Sequence, residues 1–168
     1  MNNAVRFAWW GGNELGSLCS QGYVASLSFE EQLNIALYLD AHALGSSNAG
    51  YFVLDGDDSD SIGTGPGPFG SQQIEALLDG YLNTRRVAPA GADLPGTGDA
   101  AAFLAMGIPA GGTTAGTTAI KTAAQAAKWR GTAGGPFDPC YHRRCDSRAR
   151  PVIRQISHPP ARFLWSSD

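Results

Sequence analysis

The chain has 168 residues, 43% of them hydrophobic and 16% charged, with a net charge of −3 at pH 7. That length and apolar content suffice for one domain with its own core and exclude a disordered chain. No apolar run reaches the ~18–20 residues of a membrane span. The mild negative charge gives no general attraction to nucleic acid, so neither a membrane nor nucleic acid is expected as a partner.

Residues 5–10 (VRFAWW) are aromatic and β-branched and predict a buried strand that stops at Gly11-Gly12. Because that strand begins so close to Met1, no signal peptide is expected within this chain. A helical stretch is predicted over 14–27. Ser28 with Glu31 has the spacing of a capping box, in which each side chain satisfies the other residue's backbone N–H; it opens only a short turn. Strands are predicted over 35–39 and 51–54. Between them and the next helix, residues 55–70 form a loop rich in Gly, Pro, Asp and Ser. The acidic run at 55–60 lacks the glycine spacing of a calcium loop and reads as an exposed turn.

Ser71 is placed as the cap of the clearest helix. Ile74, Leu77, Leu78, Tyr81 and Leu82 recur every three or four residues and make one apolar stripe. Arg85 and Arg86 at its end complement the helix dipole. A loop is expected over 87–98, a short helix capped by Asp99, a strand over 108–111 and an Ala-rich helix over 121–129. Strands alternating with helices predict a layered α/β/α fold around a largely parallel or mixed sheet. Such sheets bind ligands at the carboxyl ends of their strands, which directs attention to the residues after Trp10, Leu39 and Gly111.

Charge divides the chain unevenly, with a net of −7 over residues 1–142 and +4 over 143–168. We therefore separate a domain at 1–147 from an Arg- and Pro-rich tail at 148–168, whose three prolines oppose a long helix. Such aperiodic sequence is what a shifted reading frame, or a basic tail for an acidic partner, would give. Cys140 and Cys145 flank Tyr141-His142, and their spacing is equally compatible with a bridge and with two free thiols. Cys19 has no evident partner.

Three sites carry chemistry-bearing residues: Asn13-Glu14 after the first strand, Asp40 and His42 after the second, and 138–146 around Tyr141-His142. Glu and His at strand ends are zinc-ligand types, although a lone Glu or His in a loop is more often merely solvated. Their order along the chain adds more. With YFVLDGDDSD at 51–60, GIPAGG at 107–112 and GTAGGPFDPCYH at 131–142, residues 3–147 resemble the zinc-dependent exopeptidase family that includes aminopeptidase S and aminopeptidase Y.

The resemblance implies a family domain that holds two zinc ions and removes N-terminal amino acids from peptides outside the cell. Glu14 matches a zinc ligand, His142 the C-terminal His ligand of the same zinc, and Tyr141 a hydroxyl that stabilises the oxyanion. Cys140 and Cys145 match a disulfide around that His. The departures are equally specific. Asn13 stands where the family has its general base, and an amide cannot accept a proton from bound water near neutral pH. His42 stands at an Asp ligand position, Thr97 near an Arg position and Thr114 near an aromatic pocket position.

The family's first His ligand and its bridging Asp lie upstream of residue 5, as do strands of its sheet. The sheet is therefore expected to be truncated on its N-terminal side and open to a chain or segment that supplies those strands. Zero or one zinc is expected for this chain. Three readings follow: a peptidase-domain fragment without activity, a non-catalytic peptide- or protein-binding module, or a single-zinc hydrolase using Glu14, His42 and His142.

Overall fold

A computed structural model describes residues 3–63, 65–94 and 98–146. Thr97 and the tail at 148–168 lie outside the described residues. The order of elements is a 3₁₀ turn Asn13–Leu15, α1 Leu18–Ser26, α2 Phe29–Leu33, β1 Tyr38–His42, β2 Phe52–Asp55, α3 Ser71–Thr84, β3 Ala90–Asp93, α4 Asp99–Ala105, β4 Ala110–Thr114 and α5 Ala123–Trp129. Four strands form one sheet in the order β1-β4-β2-β3, and β2 pairs with β4 antiparallel, Phe52 opposite Thr114 and Val53 opposite Thr113. The fold is α/β with a mixed sheet.

By its internal contacts the chain comprises two compact units. The first is Met1–Asp40, Asp55–Glu75 and Asp93–Gly111; the second is Ala41–Leu54, Ala76–Ala92 and the chain from Gly112 onward.

In the first unit Val24 of α1, Phe103 of α4 and Ile108 are buried together, with Trp10, Tyr23, Ile35 and Tyr38 packed against them. The Tyr38 ring stacks on Phe103 at 4.1 Å between centroids. Trp10 Nε1 donates to Tyr38 Oη at 3.1 Å, so the polar tips of two large rings satisfy each other. Burial, followed by the nearby charge of Asp40, pushes the Tyr38 phenol up to about 12. The capping box forms as expected, with Ser28 Oγ accepting from Glu31 N and Ser28 N donating to Glu31 Oε2, and the helix it opens has five residues.

The second unit is built on aromatic edges. Phe52 meets Trp129 and Phe137 in T-shaped contacts at 4.9 and 5.2 Å. Gly50 has to be glycine here, because a Cβ would lie 2.4 Å from the Phe52 ring and 2.9 Å from that of Phe137. Thr122 caps α5 in a second reciprocal box with Gln125, and Trp129 Nε1 donates to Ala88 O at 2.7 Å.

Several boundaries differ from the sequence reading. Residues 5–10 run without regular structure, and Phe7 and Trp9 are 67% and 88% exposed, while Trp10 alone turns into the core. Aromatic content favours a strand, but a strand exists only where a neighbouring backbone supplies its ladder. β1 lies at Tyr38–His42 rather than 35–39, because Ile35 is used by the core while Tyr38 N finds Pro109 O at 2.9 Å. β3 was expected to be loop. Its residues, Ala-Gly-Ala-Asp, are poor strand formers, and Ala90 N is held by Tyr51 O at 3.0 Å. Ser71 is the first residue of α3 rather than its cap, and its Oγ accepts from Ala110 N at 3.1 Å.

Candidate functional site

Asn13 opens the 3₁₀ turn that follows Gly11-Gly12. Its Nδ2 donates to Asp99 Oδ2 at 2.7 Å. Asp99 does not cap α4 as the sequence suggested; its carboxylate turns to Asn13, and the cap position falls on Gly98. Asp99 is 8% exposed, and its other oxygen, Oδ1, is buried with no hydrogen-bond partner among the described residues. An orphan buried acceptor is uncommon in a folded protein and marks functional or strained places. A neutral amide beside this carboxylate is the compatible choice, since it donates where a second carboxylate would repel. Glu14, the next residue, is exposed at the surface of the first unit.

In the second unit His42 ends β1 and is exposed, and Ala43 after it takes a left-handed backbone, φ 54°. Thr114 ends β4, and its Oγ1 accepts from Gly116 N at 3.1 Å. Cys140 and Cys145, separated by five positions in sequence, are joined in a disulfide that encloses Tyr141 and His142. Within that ring Arg143 N donates to Cys140 O at 2.9 Å. His142 has φ 58°, in the left-handed region that few non-glycine residues adopt and that histidine tolerates better than most. The rings of Tyr141 and His142 are 4.1 Å apart. Cys19 is free and exposed.

Among the described residues, the group of three or more metal-ligating side chains with donor atoms within 4.8 Å of one another is Asp55, Asp57 and Glu75. The acidic run is therefore not simply an exposed turn. Asp55 is 2% exposed, and its carboxylate accepts from Ser59 N and Asp60 N at 3.1 and 2.9 Å. Glu75 accepts from Gly56 N at 2.7 Å. Its carboxyl is pushed up first by burial and then by the charges of Asp55 and Asp57. An all-oxygen trio suits a hard cation better than zinc.

The donor types of Glu14, His42 and His142 do fit zinc. Position 13 does not fit a proton acceptor, because an amide has no basic lone pair near neutral pH; its N–H is given to Asp99. Sequence reasoning missed Asp99 as the partner of Asn13, and also missed Asn48 and Lys121, which hydrogen-bond to the backbone of residues 130–137. A lysine at the start of an Ala-rich stretch reads as a solvated charge, and no periodicity signals its burial.

The structure is that of an α/β domain with one four-stranded sheet and a disulfide-closed loop that carries His142. Residues 1–158 match the model of Peptidase family M28, and the chain belongs to that family. It is 44% identical over 147 residues to an aminopeptidase of Pseudomonas aeruginosa, covering 88% of this chain and 27% of that protein. It is 42% identical over 150 residues to a probable lipoprotein aminopeptidase LpqL of Mycobacterium tuberculosis, covering 88% and 30%. With a probable leucine aminopeptidase 2 of Aspergillus fumigatus it shares 42% over 147 residues, covering 88% and 29%. The chain thus spans less than a third of the length of these relatives. No helix among the described residues is long and apolar enough to cross a membrane.

Proposed function

We propose that this chain is a zinc aminopeptidase-like domain portion, of a type that acts on the amino ends of peptides, and that it does not turn over substrate as it stands. The reading is carried by one contact: the side chain at the general-base position is an amide, and it donates its N–H to the Asp99 carboxylate. Zinc, when bound in this family, polarises the scissile carbonyl and activates a water. Glu14 and His142 are the residues proposed to hold it, with His42 as a further imidazole donor. Tyr141 is proposed to donate its hydroxyl to the oxyanion. Asn13 can hydrogen-bond a bound water but cannot take its proton near neutral pH.

The names of the relatives support peptides as the substrate class, and the name of the lipoprotein aminopeptidase is what supports a location outside the cytoplasm. The exposed apolar segment at Phe7 and Trp9 supports a partner segment that adds strands beside it. The test is release of nitroaniline from leucine- and lysine-nitroanilide by the purified chain, with added zinc and with chelator. Loss of a general base costs on the order of 10²–10⁴ in rate, so no chelator-sensitive release above background is expected. Turnover comparable to a complete family member would overturn the proposal. One bound zinc per chain by elemental analysis, together with weak turnover, would replace it by the single-zinc hydrolase built on Glu14, His42 and His142.

A further inference from the structure

A buried cation holds the segment that leads into the loop carrying Tyr141 and His142. Lys121 is 1% exposed. Its Nζ donates to Ala49 O and to Arg130 O, each at 2.8 Å, and stands 5.4 Å from the centre of the Phe137 ring. Its backbone joins the same segment, with Lys121 N donating to Gly135 O and Gly134 N donating to Lys121 O, both at 2.9 Å.

Asn48 works from the other side. Its Nδ2 donates to Thr132 O and Pro136 O at 3.0 Å, its Oδ1 accepts from Thr132 N at 2.9 Å, and its own N donates to Phe137 O at 3.0 Å. Gly131 fits between them because it has φ 94° and no side chain. A Cβ there would lie 2.2 Å from Asn48 Oδ1 and 3.0 Å from Lys121 Nζ.

The hold extends to the site. Phe137 leads into Asp138, whose N donates to Thr117 O at 2.7 Å, whose Oδ1 accepts from Cys140 N at 2.9 Å, and whose O accepts from Tyr141 N. Taking an ammonium out of water is costly, and apolar side chains of similar size fill space more cheaply. What the ammonium alone provides is a set of charge-assisted bonds that draws together two carbonyls far apart in sequence.

We propose that Lys121 and Asn48 are positioning residues for Tyr141 and His142, fixing segment 130–138 so that the disulfide-closed loop presents both side chains in one arrangement. This rests on the reading that Tyr141 and His142 are the chemistry-bearing residues of the loop. Burial also lowers the Lys121 pKa, as expected for a cation held without bulk water.

The experiment is amide hydrogen exchange and imidazole NMR on the full chain, comparing wild type with Lys121→Met and, independently, Asn48→Ala. Each variant removes buried hydrogen bonds, so the amides of Thr132, Phe137, Asp138 and Tyr141 should exchange roughly tenfold faster or more. Amides of α1 and α4 should keep their wild-type rates, and the His142 imidazole resonances should shift. Uniform acceleration along the whole chain, or an unmoved His142 signal, overturns the proposal. If Lys121→Met fails to fold, Asn48→Ala decides it alone. Titration of wild type with zinc, read on the same resonances, tests the ligand reading separately. An unresponsive His142 there removes its role as a ligand, while the exchange data still decide whether Lys121 and Asn48 set its place.

Discussion

Replacing Asn13 by glutamate, the residue type that the general-base role requires, should destabilise the protein rather than restore it. The present amide donates to Asp99 Oδ2 at 2.7 Å, and Asp99 is buried with a second oxygen already unpaired. Two ionised carboxylates at that separation repel by about 6 kcal/mol at an effective dielectric constant of about 20. Protonating one of them at pH 7, three units above an ordinary carboxyl pKa near 4, costs about 4 kcal/mol. Swinging the new side chain away forfeits the hydrogen bond to a charged group, about 1.5–3 kcal/mol.

The chain takes the cheapest course: at low pH the two carboxyls share a proton, and near pH 7 the new side chain swings away, so Asn13→Glu should cost about 1.5–3 kcal/mol at pH 7. A shared proton has a folded-state pKa above its unfolded value. The variant's stability should therefore be near that of wild type at about pH 4 and fall as pH rises, with a slope of up to about 1.4 kcal/mol per unit. Asn13→Glu with Asp99→Asn should lose that slope. Urea unfolding followed by tryptophan fluorescence between pH 4 and 8 measures it, Trp10 being packed in the same unit. Equal stability of Asn13→Glu and wild type at pH 7, or an identical pH slope in the single and double variants, would refute the reasoning.

Phe103→Ala should cost about 3–5 kcal/mol in urea unfolding, because Phe103 is 3% exposed and stacks on Tyr38; a loss below 1 kcal/mol would deny it a central place. Tyr38 should remain a phenol in absorbance titration until about pH 12. Its folded pKa exceeds the unfolded value of 10.0, so that contribution to stability is intact below pH 10 and lost as pH rises through 12; Tyr38→Phe should flatten the alkaline limb. Thiol titration of the unfolded, unreduced chain should find Cys19 alone, and all three cysteines after reduction. Three thiols before reduction would contradict the bridge.

Most of what was legible in the sequence is local. The capping box at Ser28 and Glu31 and the helix α3 depend on residues a few positions apart, and both form where the spacing puts them, although Leu77 of the apolar stripe is 69% exposed. The ordered run of motifs from Asn13 to His142 was likewise enough to give the family and the bridge between Cys140 and Cys145. Strands were less legible. Residues 5–10 have the composition of a strand and form none, while Ala90–Asp93 lacks it and joins the sheet. A strand is settled by the backbone that comes to lie beside it, and composition carries little of that information.

The substitution at position 13 could be read directly from the sequence; its consequence could not. That Asn13 gives its amide to Asp99, 86 positions away, is decided by tertiary structure, as is the burial of Asp55 and Lys121, two charged residues whose surroundings in the sequence predict solvent. Local propensity and motif order act through neighbours along the chain and so survive in the sequence. The energy of a charge depends on how much water its final surroundings exclude and on which dipoles replace it, and those are properties of the assembled fold alone.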